Sequence, residues 1–419
     1  MDALLRPLTE KEQEAGVWEP SNDRVLFEGP FEEAEDFYSQ TEVIPSLQNA
    51  PFCKYTDGLP VTIPTEERVA EMLKGTSHKP DEPIGFQADH ELEDRQIKMG
   101  RTGKKGDLCR FLPMRRVATV EKIATIGVMA GCRPQHMPVL LAMAEAGGGC
   151  GDGRGGNGYA ISGPIARQIG MNFDVNVFGP GNPSNRALGR AAELMWRNLG
   201  GEIPAVTNCG VQGTGLSNCI PENAEALPPG WQGLNEEYGF KKTDNVLVSI
   251  GRIGHLHTTE FSPGGYRAFQ KSGHGGMARR LDVKGEPGAK NWLGYQIPGL
   301  WKGTEGGFTF FMMPEMARSL YDAGFKSKES VYEWIYKNSL TTVGEYRTHS
   351  WADMTTNGWN AVEESSGKRW RDLSDNYVVH ACADPWQNCI IVTGGGEEVS
   401  SFTTGRGSLD AGYSIDAWR

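Results

Sequence analysis

The sequence predicts an α/β protein of two related α/β lobes, an internal duplication, preceded by an extended acidic N-terminal arm. Three observations carry this. A strand, a proline and a helix start follow one another at Tyr159–Arg167 and again at Phe308–Arg318. Each copy leads to a second helical stretch, Ser184–Leu199 and Lys328–Asn338, and then to a late apolar strand that ends in glycine, Val246–Gly251 and Cys389–Gly396. Repeated strand–helix–helix–strand order argues for two α/β halves. Finally, residues 1–50 hold 12 acidic and 3 basic residues, which is −9 of the chain's −11. The expected division is an arm over 1–55, a first lobe over 56–255 and a second over 256–419. The arm is read as packing over its own domain or over a neighbouring subunit.

The individual elements follow from local chemistry. Thr65 precedes Glu66 and Glu67, and Val69, Met72 and Leu73 form an apolar stripe that Gly75 ends, so a capped helix is expected there. Thr119 caps a helix running to about Ala130, where Gly131 stops it. Pro134 then opens a second, largely apolar helix through Met137, Leu140 and Met143. Gly147–Gly158 has eight glycines in twelve residues and contains a G-x-G-x-x-G spacing at Gly151, Gly153 and Gly156. It follows a helix and feeds a strand, the reverse of a dinucleotide-binding turn, so no NAD is expected and a lid is the better reading. The basic run Arg101–Lys122 is read as greeting an anionic substrate or pairing with the acidic arm.

Composition narrows the function classes. A chain of 419 residues, 38% hydrophobic and 23% charged, has the makeup of a soluble globular protein with a sizeable core. The acidic balance argues against nucleic-acid or anionic-membrane partners. No apolar run reaches the ~18 residues of a membrane span, and Met1–Gln13 lacks a signal-peptide core, so a cytoplasmic location is expected. The eight cysteines form no C-x-x-C pair.

Four constellations carry chemistry. Cys132 lies between two helices beside Arg133 and one turn from His136. Both the helix dipole and the cation would favour a thiolate, although a structural cysteine at a tight turn fits the same pattern. The Gly-rich turn Val177–Arg190 places Asn182, Ser184 and Arg186 at a helix start, an arrangement suited to an anionic group, and Gly189 would let another backbone pack close. Thr207–Asn223 is a polar loop holding Cys209 and Cys219, whose disulfide state is left open. His255 and His257 share one face of a strand with Glu260 beyond, a candidate Fe or Zn set.

Several of these strings resemble one family. They are Leu59-Pro-Val-Thr-Ile-Pro-Thr-Glu-Glu-Arg-Val-Ala-Glu-Met-Leu73, Ala118-Thr-Val-Glu-Lys-Ile-Ala124, Met129-Ala-Gly-Cys132-Arg-Pro, Ser162-Gly-Pro-Ile-Ala-Arg167, Asn176-Val-Phe-Gly-Pro-Gly-Asn182, and Cys219-Ile-Pro-Glu-Asn223 through Glu237-Tyr-Gly-Phe240. Together they resemble the large proteins encoded beside UGSC-type (seleno)proteins, a group loosely similar to the B component of glycine, sarcosine and betaine reductases. The resemblance implies a substrate-holding large subunit working with a small redox partner, with Cys132, Asn182, Glu222 and His255 in matching motifs. The chain departs from the family in its glycine run before Tyr159 and in Gly394-Gly-Gly-Glu-Glu398, where histidines are usual.

The expected function is therefore that of a thiol- or selenol-dependent enzyme subunit acting on a small organic acid or derivative, within an oligomer. Cys132 would be the thiolate, Asn182, Ser184 and Arg186 the anion anchors, His255 the acid/base and Glu222 a second proton carrier. Two alternatives stand beside it: a metal-dependent lyase or hydratase using His255, His257 and Glu260, and a non-catalytic scaffold subunit.

Overall fold

The computed structural model describes residues 25–44, 49–92, 97, 101–147, 156–203, 206–208, 217–253, 257–258, 308–338, 340–349, 362–363, 365–380, 385–395, 402–405 and 411–419. Its helices include α1 (Phe31–Ser39), α2 (Glu66–Leu73), α3 (Val120–Met129), α4 (Met137–Ala146), α5 (Pro183–Met195), α6 (Leu234–Glu237), α7 (Pro314–Asp322) and α8 (Lys328–Asn338), with further short ones at Ile165–Gln168 and Val343–His349. Its main strands are β1 (Gly156–Ser162), β2 (Asn218–Pro221), β3 (Val246–Ile253), β4 (His257–Thr258), β5 (Phe308–Met312), β6 (Cys389–Val392), β7 (Phe402–Gly405) and β8 (Gly412–Ser414).

The helix ends follow the capping rules. The Thr65 hydroxyl accepts from the Arg68 N–H and the Thr119 hydroxyl from the Lys122 N–H, so each satisfies a donor that the first helical turn leaves unpaired. Gly75 ends α2 where a Cβ would fall 1.8 Å from the Pro134 carbonyl oxygen, so only glycine fits. Gly189 meets its expectation in the same way. A Cβ there would lie 2.4 Å from the Ser217 carbonyl oxygen, and its absence lets α5 lie close to the start of β2.

Two four-stranded mixed sheets form the centre. The first has the order β8-β3-β1-β2 and the second β4-β7-β5-β6. In each, the central strand pairs in parallel with one edge strand and antiparallel with its other neighbour, which pairs antiparallel with the fourth strand. Alternate side chains sort the layers. Tyr159, Ile161, Cys219 and Leu247 turn from the first sheet toward α2–α5. Phe310, Met312, Ile390 and Val392 turn from the second toward α7 and α8. Ala160, Ile220, Val246, Val248 and Ile250 face Phe311, Cys389 and Ile391 in a third core between the sheets. The order is thus helix, sheet, sheet, helix. Among the described residues no helix is long and apolar enough to cross a membrane.

The second sheet draws all four of its strands from 256–419, and the fourth strand of the first sheet comes from that stretch too. β4 follows β3 in sequence but pairs with β7 of the second sheet. β8 follows β7 but pairs with β3 of the first. The second lobe is therefore not the contiguous 256–419, because residues 411–419 complete the first. They are tightly held there: Trp418 is fully buried, and its indole N–H donates to Glu145 Oε2 at 2.7 Å. Asp416 accepts from both the backbone and the side-chain amide of Asn245.

Two further expectations, on the arm and on the late strand, are corrected, and the basic run is placed. The described part of the arm is not extended. Residues 31–39 are helical, 41–44 pair antiparallel with 50–53, and Ala34 and Tyr38 enter the first core. Of the basic residues of 101–122, Arg101 reaches the Glu145 and Ala146 oxygens that end α4, Arg110 reaches the Arg115 oxygen and Arg116 reaches the Asn198 oxygen. The polar stretch before Asn223 contains β2, which takes the place in the first sheet that β6 takes in the second. The late strand equivalent to Cys389–Val392 is thus Asn218–Pro221, while Val246–Ile253 corresponds to Phe402–Gly405.

Candidate functional site

The carboxyl ends of the two parallel strand pairs meet. After β2 the Glu222 N–H donates to the Ile161 carbonyl at 2.7 Å, and after β6 the Thr393 N–H donates to the Met312 carbonyl at 2.9 Å. The Asn223 N–H then crosses between sheets to the Val392 carbonyl at 2.7 Å. Open α/β sheets place ligands beyond such strand ends.

A buried charged cluster occupies this seam. Glu222 accepts from the Ser162 hydroxyl at 2.6 Å, the Leu234 N–H at 2.7 Å and the Lys328 ammonium at 3.1 Å. Lys328 Nζ also donates to Glu237 Oε2 at 2.7 Å, and the Tyr332 hydroxyl donates to Glu237 Oε1 at 3.0 Å. Tyr332 in turn accepts the Ile390 N–H at 3.0 Å, which covers a donor on the open edge of β6. The side chains of Glu222 and Lys328 are closed off from solvent, whereas Glu237 keeps 17% of its surface.

The sequence accounts for the placement. Ser327 begins α8, its hydroxyl accepting from the Ser330 N–H, so Lys328 stands in the first turn and Tyr332 one turn later on the same face. A cation in a first turn is opposed by the helix dipole, and the two carboxylates supply the compensation. Burial alone would lower the Lys328 ammonium, but Glu222 and Glu237 outweigh it and hold it above its usual value. One ammonium cannot neutralise two carboxylates. Glu237 is pushed upward by burial, against the pull of Lys328, and burial together with Glu237 pushes Tyr332 up as well. The arrangement therefore joins a well-bonded carboxylate, a fixed ammonium and a carboxyl group of raised proton affinity that reaches the surface.

Of the residues singled out from sequence, only Glu222 belongs to this cluster. Cys132 does not. It packs against the apolar core of the first helical layer, on the far side of the first sheet from the seam, and burial pushes its thiol up rather than down. The expected thiolate is corrected on that ground. Its neighbour His136 is buried, accepts the Arg133 N–H through Nδ1 at 3.1 Å, and is held down to about 4, chiefly by burial.

The anion-anchor reading is corrected too. The Asn182 side-chain amide donates to the Asn176 and Gly179 carbonyls, and its oxygen accepts from Asn172. The Ser184 hydroxyl donates to Ile169 O at 2.6 Å. Asn185 bonds Asn172 in both directions. These polar groups staple the loop 172–182 so that Val177 enters the inter-sheet core, Phe178 meets Phe311 edge-on at 5.0 Å and the Phe173 carbonyl accepts the Gly394 N–H. The loop is a clasp between the lobes. Arg186 is exposed on α5.

His255 and Glu260 lie outside the described residues, as does Cys209, and of His257 only the backbone is described, paired with Thr403. Among the described residues no group of three or more His, Cys, Asp or Glu is placed to hold a metal. Cys219 is a free, buried thiol. Lys328, Glu237, Ser162 and Tyr332 were missed as site residues. The signal in the sequence was slight: a lysine in place of an acid at a helix start, four residues before a tyrosine. The chain matches no protein-family model, no curated protein and no solved structure.

Proposed function

We propose that this chain is the large, substrate-holding subunit of an enzyme that acts on a small organic acid derivative by acid–base chemistry at the seam between its lobes. The observation that carries the reading is the Glu222–Lys328–Glu237 cluster, where burial raises the proton affinity of the one carboxyl group that still reaches solvent. Glu237 is the proton carrier, Lys328 fixes its orientation, and Glu222 with Ser162 holds Lys328. Groups poised in this way sit where perturbed titration is useful and where a merely structural role would favour an apolar filling.

In this reading the two halves descend from one duplicated α/β unit. The matching strand order of the sheets and the equivalent bonds Glu222 to Ile161 and Thr393 to Met312 support it. Sulfur or selenium chemistry belongs to the small redox partner that the sequence resemblance implies, since Cys132 is not set up as a thiolate.

The test is ligand-induced thermal stabilisation of the full chain by short-chain acids, amides and hydroxy acids, compared between wild type and Glu237→Gln. A compound that stabilises wild type should lose its effect in the variant, or bind it without the wild-type pH dependence. Binding unchanged in affinity and pH profile would move the site away from the seam.

A further inference from the structure

The geometry points to Thr393 as a ligand-contacting residue that takes a neutral polar group, a carboxamide, carbonyl or hydroxyl, and not a free carboxylate. The inference rests on the proposed site at the seam and names what that site recognises.

Thr393 follows β6, at the position equivalent to Glu222 after β2. Each donates its N–H to the last residue pair of its central strand. Ile391 faces the other sheet, and by strand alternation Thr393 faces the same way. Its neighbour Val392 accepts the cross-sheet bond from Asn223, and Glu222 adjoins Asn223, so the hydroxyl and the charged cluster sit one residue to either side of a single hydrogen bond. Thr393 is 3% exposed, and its Oγ1 has no protein hydrogen-bond partner. A buried hydroxyl without a partner costs stability, and isosteric valine would avoid that cost. Thr309 Oγ1 is also unpartnered, but it lies at the opposite end of the second sheet's parallel pair.

Charge decides the ligand class. The described cluster holds two carboxylates and one ammonium, and both hydrogen bonds recorded for that ammonium go to those carboxylates. The one ammonium of the described cluster is already shared by its two carboxylates, so a ligand carboxylate entering beside it would meet net negative charge. A neutral group can both accept from and donate to a threonine hydroxyl.

The experiment uses the full chain as wild type, Thr393→Val and Thr393→Ser. Thermal unfolding is followed alone and with matched acids and amides, lactate with lactamide and succinate with succinamide. Thr393→Val should melt no lower than wild type without additive. The amide should bind wild type more tightly than its acid. Thr393→Val should weaken that binding by at least about tenfold, and Thr393→Ser should keep it within about twofold, as expected where a site is built to bond a polar group. A lower melting temperature for Thr393→Val alone, equal amide binding by wild type and Thr393→Val, preference for the acid, or no stabilisation of wild type by any compound would each overturn the proposal. Binding lost in Glu237→Gln but kept in Thr393→Val would overturn the Thr393 assignment and leave the seam site standing.

Discussion

Replacing Lys328 by methionine isolates the energetics of the seam. The side chain is 1% exposed and holds together two carboxylates, one of them wholly buried. Methionine fills a similar volume but leaves Glu222 and Glu237 facing each other without a counter-charge. Removing one partner from a buried ion pair costs about 3–5 kcal/mol, a large share of the ~5–15 kcal/mol that stabilises a typical domain. With an m-value of about 3 kcal/mol/M in urea, the unfolding midpoint should fall by roughly 1–1.7 M. The loss should depend on pH. Glu237 already has a raised proton affinity in the folded state. A carboxyl raised on folding adds most stability at low pH, and that contribution is lost as pH rises from the unfolded carboxyl range through the folded value. Without Lys328 to pull it down, the folded value rises further. The penalty should therefore be largest near neutral pH and shrink on acidification. Urea titrations of both proteins at a neutral and a mildly acidic pH provide the assay. A penalty below about 1 kcal/mol near neutrality, or one that does not change with pH, would refute the account of a buried, under-compensated pair.

The remaining predictions concern the first lobe. His136 is buried with its affinity for a proton lowered to about 4. A histidine depressed on folding contributes stability above its unfolded value near 6.5 that is lost as pH falls toward 4, at most about 3 kcal/mol. His136→Asn should flatten that part of the acid-denaturation curve, and an unchanged curve would exclude the residue as its source. Cys132, with its thiol pushed up, should react with iodoacetamide more slowly than an unhindered thiol at mildly alkaline pH, as mass mapping will report; faster modification would restore the thiolate reading. Trp418→Ala should cost about 3–5 kcal/mol through lost packing, and somewhat more because Glu145 Oε2 loses its indole donor while Oε1 keeps the Gln87 N–H, measurable as a lowered melting temperature.

What was legible in the sequence was local. Thr65, Thr119, Gly75 and Gly189 act as their chemistry dictates, because caps and close approaches depend on neighbours only a few residues away or on backbone alone. The strand–proline–helix order of Tyr159–Arg167 and Phe308–Arg318 was legible because such a junction keeps its spacing. The late strands were mismatched because β2 is short and sits at the end of a polar, glycine-spaced stretch, and its apolar character comes from Cys219 and Ile220 alone. Asn182 and Ser184 gave a misleading signal. The same side chains that would bind an anion at a helix start equally staple a loop, and only the fold shows which carbonyls they reach. The Lys328 cluster joins residues 91 and 106 positions apart, and no local pattern announces such a meeting.

The return of β8 to the first sheet has a consequence for how the polypeptide is made. Synthesis runs from the amino end, so the first sheet lacks its β8 edge until residues 412–414 emerge, long after β1, β2 and β3 are available. Until then β3 offers an uncovered edge to any passing strand, and the nascent chain would gain from a chaperone or from prompt completion. Cutting between β3 and β4 would leave the amino-terminal piece without the β8 edge of its sheet, because that strand stays on the other piece. Such pieces should fold poorly apart and recombine when mixed.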